Sequence, residues 1–277
     1  MISKTRYFGF FFVICLIFSC SKKPTAPMNL DSRPVGPLRV SNSKVKTEIT
    51  YRLNTNNILE KTNYEYYDHG LLKMKTRTYP DLTIQTTTNY YYDNLFNLIK
   101  EIVLEGNLYT DTILYRYDSS NMIVQKETIH ATPNFVLRDT VFYKYDIEGN
   151  LIELTRKNPY EGYAKTSREK NEYSNGLLMK TYFYYDGNLT KSVEYKYYNE
   201  ILTDKLVYTH AGLLEHRYVY YYHDRLLKIV KGYFAYDIGI SDQKIYEYNS
   251  RYELVIQKVY VPVYSSYSNY EIHYQYY

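Results

Sequence analysis

Tyr143-Lys144-Tyr145-Asp146-Ile147-Glu148-Gly149-Asn150-Leu151 is the stretch whose reading decides the fold. Period-2 alternation puts Tyr143 and Tyr145 on one face of a strand and Lys144 on the other. Asp146 closes the strand, because Asp side chains bond nearby backbone amides in turns. An aliphatic residue, Leu151, then opens the next strand. The same order of aromatic strand, polar residue, turn and aliphatic pair recurs along the chain.

The polar residues that end the aromatic strands are Asp68, Asp93, Asp118, Asp146, Ser174, Asn199, His223 and Asn249, spaced 24 to 28 residues apart. Before them stand Tyr66-Tyr67, Tyr90-Tyr91-Tyr92, Tyr115-Arg116-Tyr117, Tyr195-Lys196-Tyr197-Tyr198, Tyr220-Tyr221-Tyr222 and Tyr246-Glu247-Tyr248, among others. A fixed period of this length marks a repeat architecture, to be read as one array and not as two domains. In a longer turn variant Leu98, Ile123, Leu151 and Leu254 lie five residues past the polar position; in a shorter one Leu71, Leu177 and Leu226 lie three past it. Ser174-Asn175-Gly176-Leu177 is the clearest short turn, since both central positions of a tight hairpin need positive φ. Among the longer turns only Gly149 supplies a glycine at the matching offset.

Pro80, Pro133, Pro159, Pro262, Gly106, Gly187 and Gly212 fall about halfway between successive turns. Proline cannot donate in a ladder, so these residues mark second turns at the opposite edge. Each period is therefore two strands and two turns. From Val45 to Tyr276 this predicts about 18 antiparallel strands of roughly seven to ten residues. The expected fold is all-β, a hairpin array forming an extended, twisted or coiled sheet, because strand twist accumulates and flat sheets are rare. Neighbouring tyrosines would stack into cross-strand ladders, each pair contributing roughly 0.2 to 1 kcal/mol over an alanine pair.

The unit at 143 to 151 resembles the YD repeat of the RHS family. That resemblance implies an extracytoplasmic setting and a spiralling antiparallel sheet, without the encapsulating role of the largest members, since eight units are too few to enclose a cargo. A membrane-spanning barrel is disfavoured by the segment from Lys165 to Tyr173. Alternation there puts Lys165 and Glu169 on one face and Arg168, Lys170 and Glu172 on the other, leaving no apolar stripe for lipid.

Composition agrees with strands throughout. Tyr is 40 of the 277 residues, with 10 Phe and no Trp, and Tyr is a strong strand former that tolerates a half-exposed surface. A mean hydropathy of -0.51 leaves the core thin or largely tyrosine. The 45% hydrophobic and 23% charged residues exclude wholesale disorder.

Residues 1–19 read as a lipoprotein signal peptide: Lys4 and Arg6 precede an apolar run from Tyr7 to Phe18, too short for the roughly 20 residues that span a bilayer. Ile17-Phe18-Ser19-Cys20 resembles the lipobox of bacterial lipoproteins, and this resemblance implies a thioether-linked lipid on Cys20. Cys15 lies in the removed segment, so the mature chain would hold no disulfide. Residues 20–43 follow as the lipidated cysteine and a flexible tether, with four of the eight prolines, and residues 44–277 as the repeat domain. Ser21, standing where Asp favours inner-membrane retention in the enterobacterial pattern, points by resemblance to the outer membrane, on its periplasmic or its cell-surface face.

The net charge of +4 falls to +2 without Lys4 and Arg6, which makes no electrostatic case for nucleic acid. His69, His130, His210, His216, His223 and His273 form no ligand pair of metal-binding spacing, and no phosphate loop, nucleophile elbow or zinc-protease motif occurs. Asp68, Asp93, Asp118 and Asp146 read as turn formers and not as acid/base pairs. The expectation is thus a non-enzyme without metal or cofactor. It is held to the membrane through Cys20 and binds an envelope glycan or protein through exposed tyrosines; the alternative is an envelope scaffold or spacer. No ligand-contact residue is singled out, although Tyr218, Tyr220 and Tyr222 on one strand face, Tyr221 on the other, and Tyr233 and Tyr236 beyond the next turn form the densest aromatic surface.

Mass spectrometry of the mature N-terminus should find Cys20 acylated, and Cys20→Ala should release the protein from membranes. An unmodified Cys20 in a soluble protein would refute the anchor.

Overall fold

The computed structural model describes residues 44–52, 57–81, 83–106, 109–133, 135–158, 165–235, 240–261 and 269–276. The signal, lipidation and tether assignments on residues 1–43 lie outside these, as does Tyr236. The strands are β1 (Val45–Arg52), β2 (Ile58–Tyr66), β3 (Leu72–Thr78), β4 (Ile84–Tyr92), β5 (Leu98–Glu105), β6 (Tyr109–Tyr117), β7 (Ile123–Ala131), β8 (Val136–Tyr145) and β9 (Leu151–Asn158) in the first half. The second half holds β10 (Lys165–Ser174), β11 (Leu177–Tyr185), β12 (Asn188–Tyr198), β13 (Ile201–Thr209), β14 (Leu214–His223), β15 (Leu226–Phe234), β16 (Ile240–Tyr248), β17 (Leu254–Tyr260) and β18 (Tyr270–Tyr276).

Every strand pairs antiparallel with its sequence neighbours, and β18 pairs with β1 from Val45↔Tyr276 to Arg52↔Tyr270. The sheet is therefore closed into an 18-stranded up-and-down barrel. The repeat, the strand number and the antiparallel order are as the sequence predicts. The extended, twisted or coiled open sheet is not. An even number of alternating strands brings the first and last together antiparallel, and pairing them removes two edges of unsatisfied N–H and C=O groups.

Bulges provide the curvature. In each hairpin from an even strand to the following odd one, the register slips by one residue at a tyrosine near the end of the even strand, as in Glu65↔Met74 followed by Tyr66↔Leu72. The extra residues are Lys73, Ile99, Val124, Ile152, Met179, Thr203, Lys228 and Val255. A bulge bends its strand and sharpens local twist, so eight at one end help to curl the sheet.

The same tyrosines join each unit to the one before it. Their hydroxyls donate to carbonyls near the start of the preceding odd strand, beyond the last main-chain pair: Tyr92 to Leu72 at 2.9 Å, Tyr117 to Leu98 at 2.9 Å, Tyr145 to Ile123 at 2.9 Å, Tyr173 to Leu151 at 3.0 Å and Tyr197 to Leu178 at 2.9 Å. Tyr66 to Val45 and Tyr276 to Leu254 carry the row across the closing strands.

The turns at this rim follow the two predicted variants except before Leu71, where the short turn expected after Asp68 is a long one anchored at Tyr67: Tyr67 N–H donates to the Leu71 carbonyl as Asp93 N–H does to Asn97, and Gly70 takes the left-handed place. Asp93, Asp118, Asp146 and Asn249 accept backbone N–H bonds from residues two or four further on, as turn formers do. The left-handed position that Gly149 fills is occupied by Phe96, Asn121 and Tyr252 in the other long turns. The short turns carry two consecutive positive-φ residues, Asn175-Gly176, Asn199-Glu200 and Asp224-Arg225.

Residues directly opposite in the ladder share a face, and this sorts the two walls. One face holds the Tyr-x-Tyr pairs and most of the buried strand residues, including Tyr64, Leu72, Val141, Leu178, Val193, Tyr195, Leu202, Leu227, Val230 and Ile272. Curvature crowds side chains on the concave side and splays them on the convex side, so the tyrosine face lines the interior.

Tyr145→Phe keeps the ring and removes one seam donor, and should cost about 0.5–1.5 kcal/mol in denaturant titrations, whereas Tyr145→Ala should cost about 3–5 kcal/mol. Burial pushes the seam hydroxyls of Tyr117, Tyr197 and Tyr276 up to about 12 from 10.0. Their raised values favour the folded state fully below pH 10.0 and lose that contribution as pH rises toward 12. Unfolding followed over that range should show the decline, and multiple seam Tyr→Phe variants should show less of it.

Candidate functional site

Inside the barrel, the first tyrosine of each Tyr-x-Tyr pair faces a residue of the next odd strand. Tyr64 faces Lys75, Tyr90 faces Glu101, Tyr115 faces Lys126 and Tyr195 faces Lys205, while Tyr274 faces Glu48 across the closure. The result is a belt of tyrosines with Glu48, Lys75, Glu101 and Lys126 alternating in sign on β1, β3, β5 and β7. The Tyr64 hydroxyl donates to Glu48 Oε2 at 2.9 Å and the Tyr115 hydroxyl to Glu101 Oε1 at 2.5 Å. Lys75 and Lys126 lie 5.8 and 6.0 Å from the Tyr64 and Tyr115 ring centres.

Burial sets the electrostatics of this belt. It raises the Glu48 carboxyl above its ordinary value, against the Tyr64 hydroxyl bond and nearby Lys75, with Glu60 adding to the rise. Burial likewise raises Glu101, against Tyr115, Lys126 and Lys75, and it lowers the Lys126 ammonium against the pull of Glu101 and Asp139. Above the belt the interior carries ion pairs between adjacent strands, Arg77–Glu60 at 3.5 Å and Arg156–Asp139 at 3.3 Å, and a hydrogen bond between His130 Nδ1 and Asp111 at 2.9 Å. No group of three or more His, Cys, Asp or Glu is placed to hold a metal among the described residues.

The outer wall differs in kind. It carries Glu127 and Arg138 paired at 2.8 Å, Lys180 and Glu194 at 3.1 Å, Asp204 and Arg217 at 2.7 Å, and Lys258 and Glu247 at 2.7 Å. As alternation predicts, Arg168, Lys170 and Glu172 lie on this face and Glu169 on the other. Charges on so many strands interrupt the apolar band, roughly 25 Å tall, that a lipid-facing wall needs. Between them stand half-buried rings. On β10 and β11 the Arg168 guanidinium lies 4.8 Å and Lys170 6.0 Å from the Tyr184 ring, and Lys180 lies 5.1 Å from Tyr182.

The aromatic surface singled out from the sequence is divided by the wall. Tyr218, Tyr220 and Tyr222 face the interior, with Tyr220 packed on the Leu178, Val193, Tyr195 and Leu202 cluster. Tyr221 and Tyr233 face outward, bonded to one another through their hydroxyls. Tyr218 lies over Gly232, where an added Cβ would come within 3.0 Å of its ring and far closer to Asp242 and Ser241. The interior charges escaped the sequence reading, although one regularity points to them: Lys75, Glu101 and Lys126 each stand 11 residues after the first tyrosine of their unit.

No protein-family model matches the chain, and no curated protein matches it. Among solved structures, a porin-like protein from Bacteroides uniformis overlaps 84% of this chain and 97% of its own at 11% identity and a TM-score of 0.45. A porin-like protein from Bacteroides vulgatus overlaps 85% and 99% at 9% identity and a TM-score of 0.38. The TcdB2-TccC3 complex overlaps 77% of this chain and 15% of its own at 9% identity and a TM-score of 0.26.

Because Glu48 and Glu101 titrate above the ordinary 4.5, the folded barrel holds these protons more tightly than the unfolded chain. This contribution to stability is full below pH 4.5 and is lost as pH rises through the folded values. Glu48→Gln and Glu101→Gln should each flatten that part of the pH profile of thermal unfolding. An unchanged slope in both variants would remove the belt carboxyls as its source.

Proposed function

We propose that the chain is a lipid-anchored, extracytoplasmic interaction module of the outer membrane, a rigid barrel that presents its outer wall to an envelope glycan or protein. The observation that carries this reading is the sorting of the aromatic residues. The interior tyrosine hydroxyls are used by the wall itself, in the carbonyl seam and in bonds to Glu48 and Glu101. The outer rings sit half-exposed beside cations, and the cluster of Arg168, Lys170, Lys180, Tyr182 and Tyr184 combines flat contact area with charges of both signs, since Lys180 pairs with Glu194 and Tyr182 donates to Glu172. Such a surface suits a partner with ring or sugar faces and polar groups at their edges.

The second reading, a scaffold or spacer without a ligand, is favoured by the same seam, since it makes the tyrosine excess a requirement of the wall. Outer and inner substitutions separate the two. Tyr184→Ala with Arg168→Ala should abolish recovery of envelope glycans or proteins in pull-downs while thermal stability changes little, whereas interior Tyr220→Ala and Tyr222→Ala should each destabilise by about 3–5 kcal/mol. A partner that is recovered unchanged from the outer variant, or the absence of any recovered partner from the wild type, supports the scaffold.

A further inference from the structure

We infer that the rim formed by the turns after the even strands is the membrane-facing end of the barrel, and that its apolar turn tips contact the bilayer surface. This rests on the proposed lipid at Cys20. The first described strand settles where the tail is attached: Val45 pairs with Tyr276 and its carbonyl accepts from Tyr66, all at the rim of the bulges and the tyrosine seam. Only 24 positions separate Cys20 from Lys44, so a lipid on Cys20 can lie at most ~80 Å of extended chain from this rim. Lys22, Lys23, Arg33 and Arg39 outnumber Asp31 along that stretch and favour an anionic surface.

Three turns of this rim carry apolar tips: one beside β1, one close to it and one on the far side of the ring. In the turn between β4 and β5, Leu95 and Phe96 are 74% and 56% exposed; between β8 and β9, Ile147 is 95% exposed; and between β16 and β17, Tyr252 is 43% exposed. Phe96 and Tyr252 hold φ of 64° and 63°, a left-handed conformation that a bulky side chain adopts at a cost. Nothing in the barrel's packing requires an exposed aromatic there, since Gly149 serves in the equivalent turn. The tips are held firmly: the Asp93 carboxylate accepts from Leu95 N–H and Asn97 N–H at 2.8 Å, and Asn97 donates to Asn121 of the next turn at 2.7 Å. His69 packs edge-on against Phe96 with ring centres 5.3 Å apart, extending the patch toward the strand that carries the tail. Other turns of the same rim, Asn175-Gly176 between β10 and β11 and His223-Asp224-Arg225 between β14 and β15, are polar.

The opposite rim also exposes apolar residues, Phe135, Val136 and Leu213. What distinguishes the two ends is attachment. A tether on one rim keeps that rim near the headgroups, where shallow insertion of a few apolar side chains adds a second signal to the acyl chains.

The chain has no Trp, so single-tryptophan variants report one site each. Phe96→Trp, Ile147→Trp and, as the far-rim comparison, Phe135→Trp should be made in the full-length protein. Each is then reconstituted with phosphatidylethanolamine–phosphatidylglycerol vesicles containing lipid brominated near the headgroup. Phe96→Trp and Ile147→Trp should shift to the blue and lose most of their emission, while Phe135→Trp should keep its solvent-exposed spectrum. Flotation and the mass of the Cys20 peptide, measured on the same samples, report the anchor separately. Acylated protein that floats with Phe96→Trp and Ile147→Trp unquenched, or with all three variants quenched alike, overturns the rim assignment alone. Protein that carries no acyl mass and does not float overturns the anchor and the rim assignment together.

Discussion

The barrel depends on a phenol reaching a carbonyl. Where two hairpins meet, the main-chain ladder ends before the strands do, and a tyrosine hydroxyl supplies the bond that the backbone cannot, as Tyr145 does for Ile123. A Phe in this place would fill the same space and leave the carbonyl unpaired in a half-buried setting. A Trp would be too large for the row and carries its donor elsewhere on the ring. The constraint recurs at Tyr66, Tyr92, Tyr117, Tyr145, Tyr173, Tyr197 and Tyr276, which ties part of the tyrosine excess to the wall itself.

Curvature follows from the same place. The register slip at each terminal tyrosine bends the hairpin while the hydroxyl ties it to the one before. Once the sheet curls, its two faces part in character. The concave face accumulates tyrosines and belt charges whose carboxyls are raised and whose lysine is lowered by burial. The convex face keeps exposed ion pairs and cation-flanked rings. A barrel with charges on both walls is stabilised without a conventional core, because each side chain needs only its cross-strand neighbours to be covered.

The two rims divide labour as well. One holds the seam, a bulge in every hairpin, the carboxylate-fixed turns and both ends of the described chain. The other is closed by the Pro80, Gly106, Gly187 and Gly212 turns.

From the sequence alone came the repeat, the two-strand unit, strands from Val45 to Tyr276, the turn-forming Asp residues and the face shared by Tyr143 and Tyr145, all set by local alternation and turn chemistry. The positive-φ residues at Phe96 and Tyr252 were not legible, since neither is a residue that turn rules expect there. Closure was not legible either: Val45 and Tyr276 lie at opposite ends of the repeat, and only accumulated bending brings their backbone groups into register. Which wall is concave was likewise a tertiary decision. Alternation separates Tyr220 from Tyr221 but is symmetric between inside and outside, and the sign of the curvature alone turned one into wall and left the other at the surface.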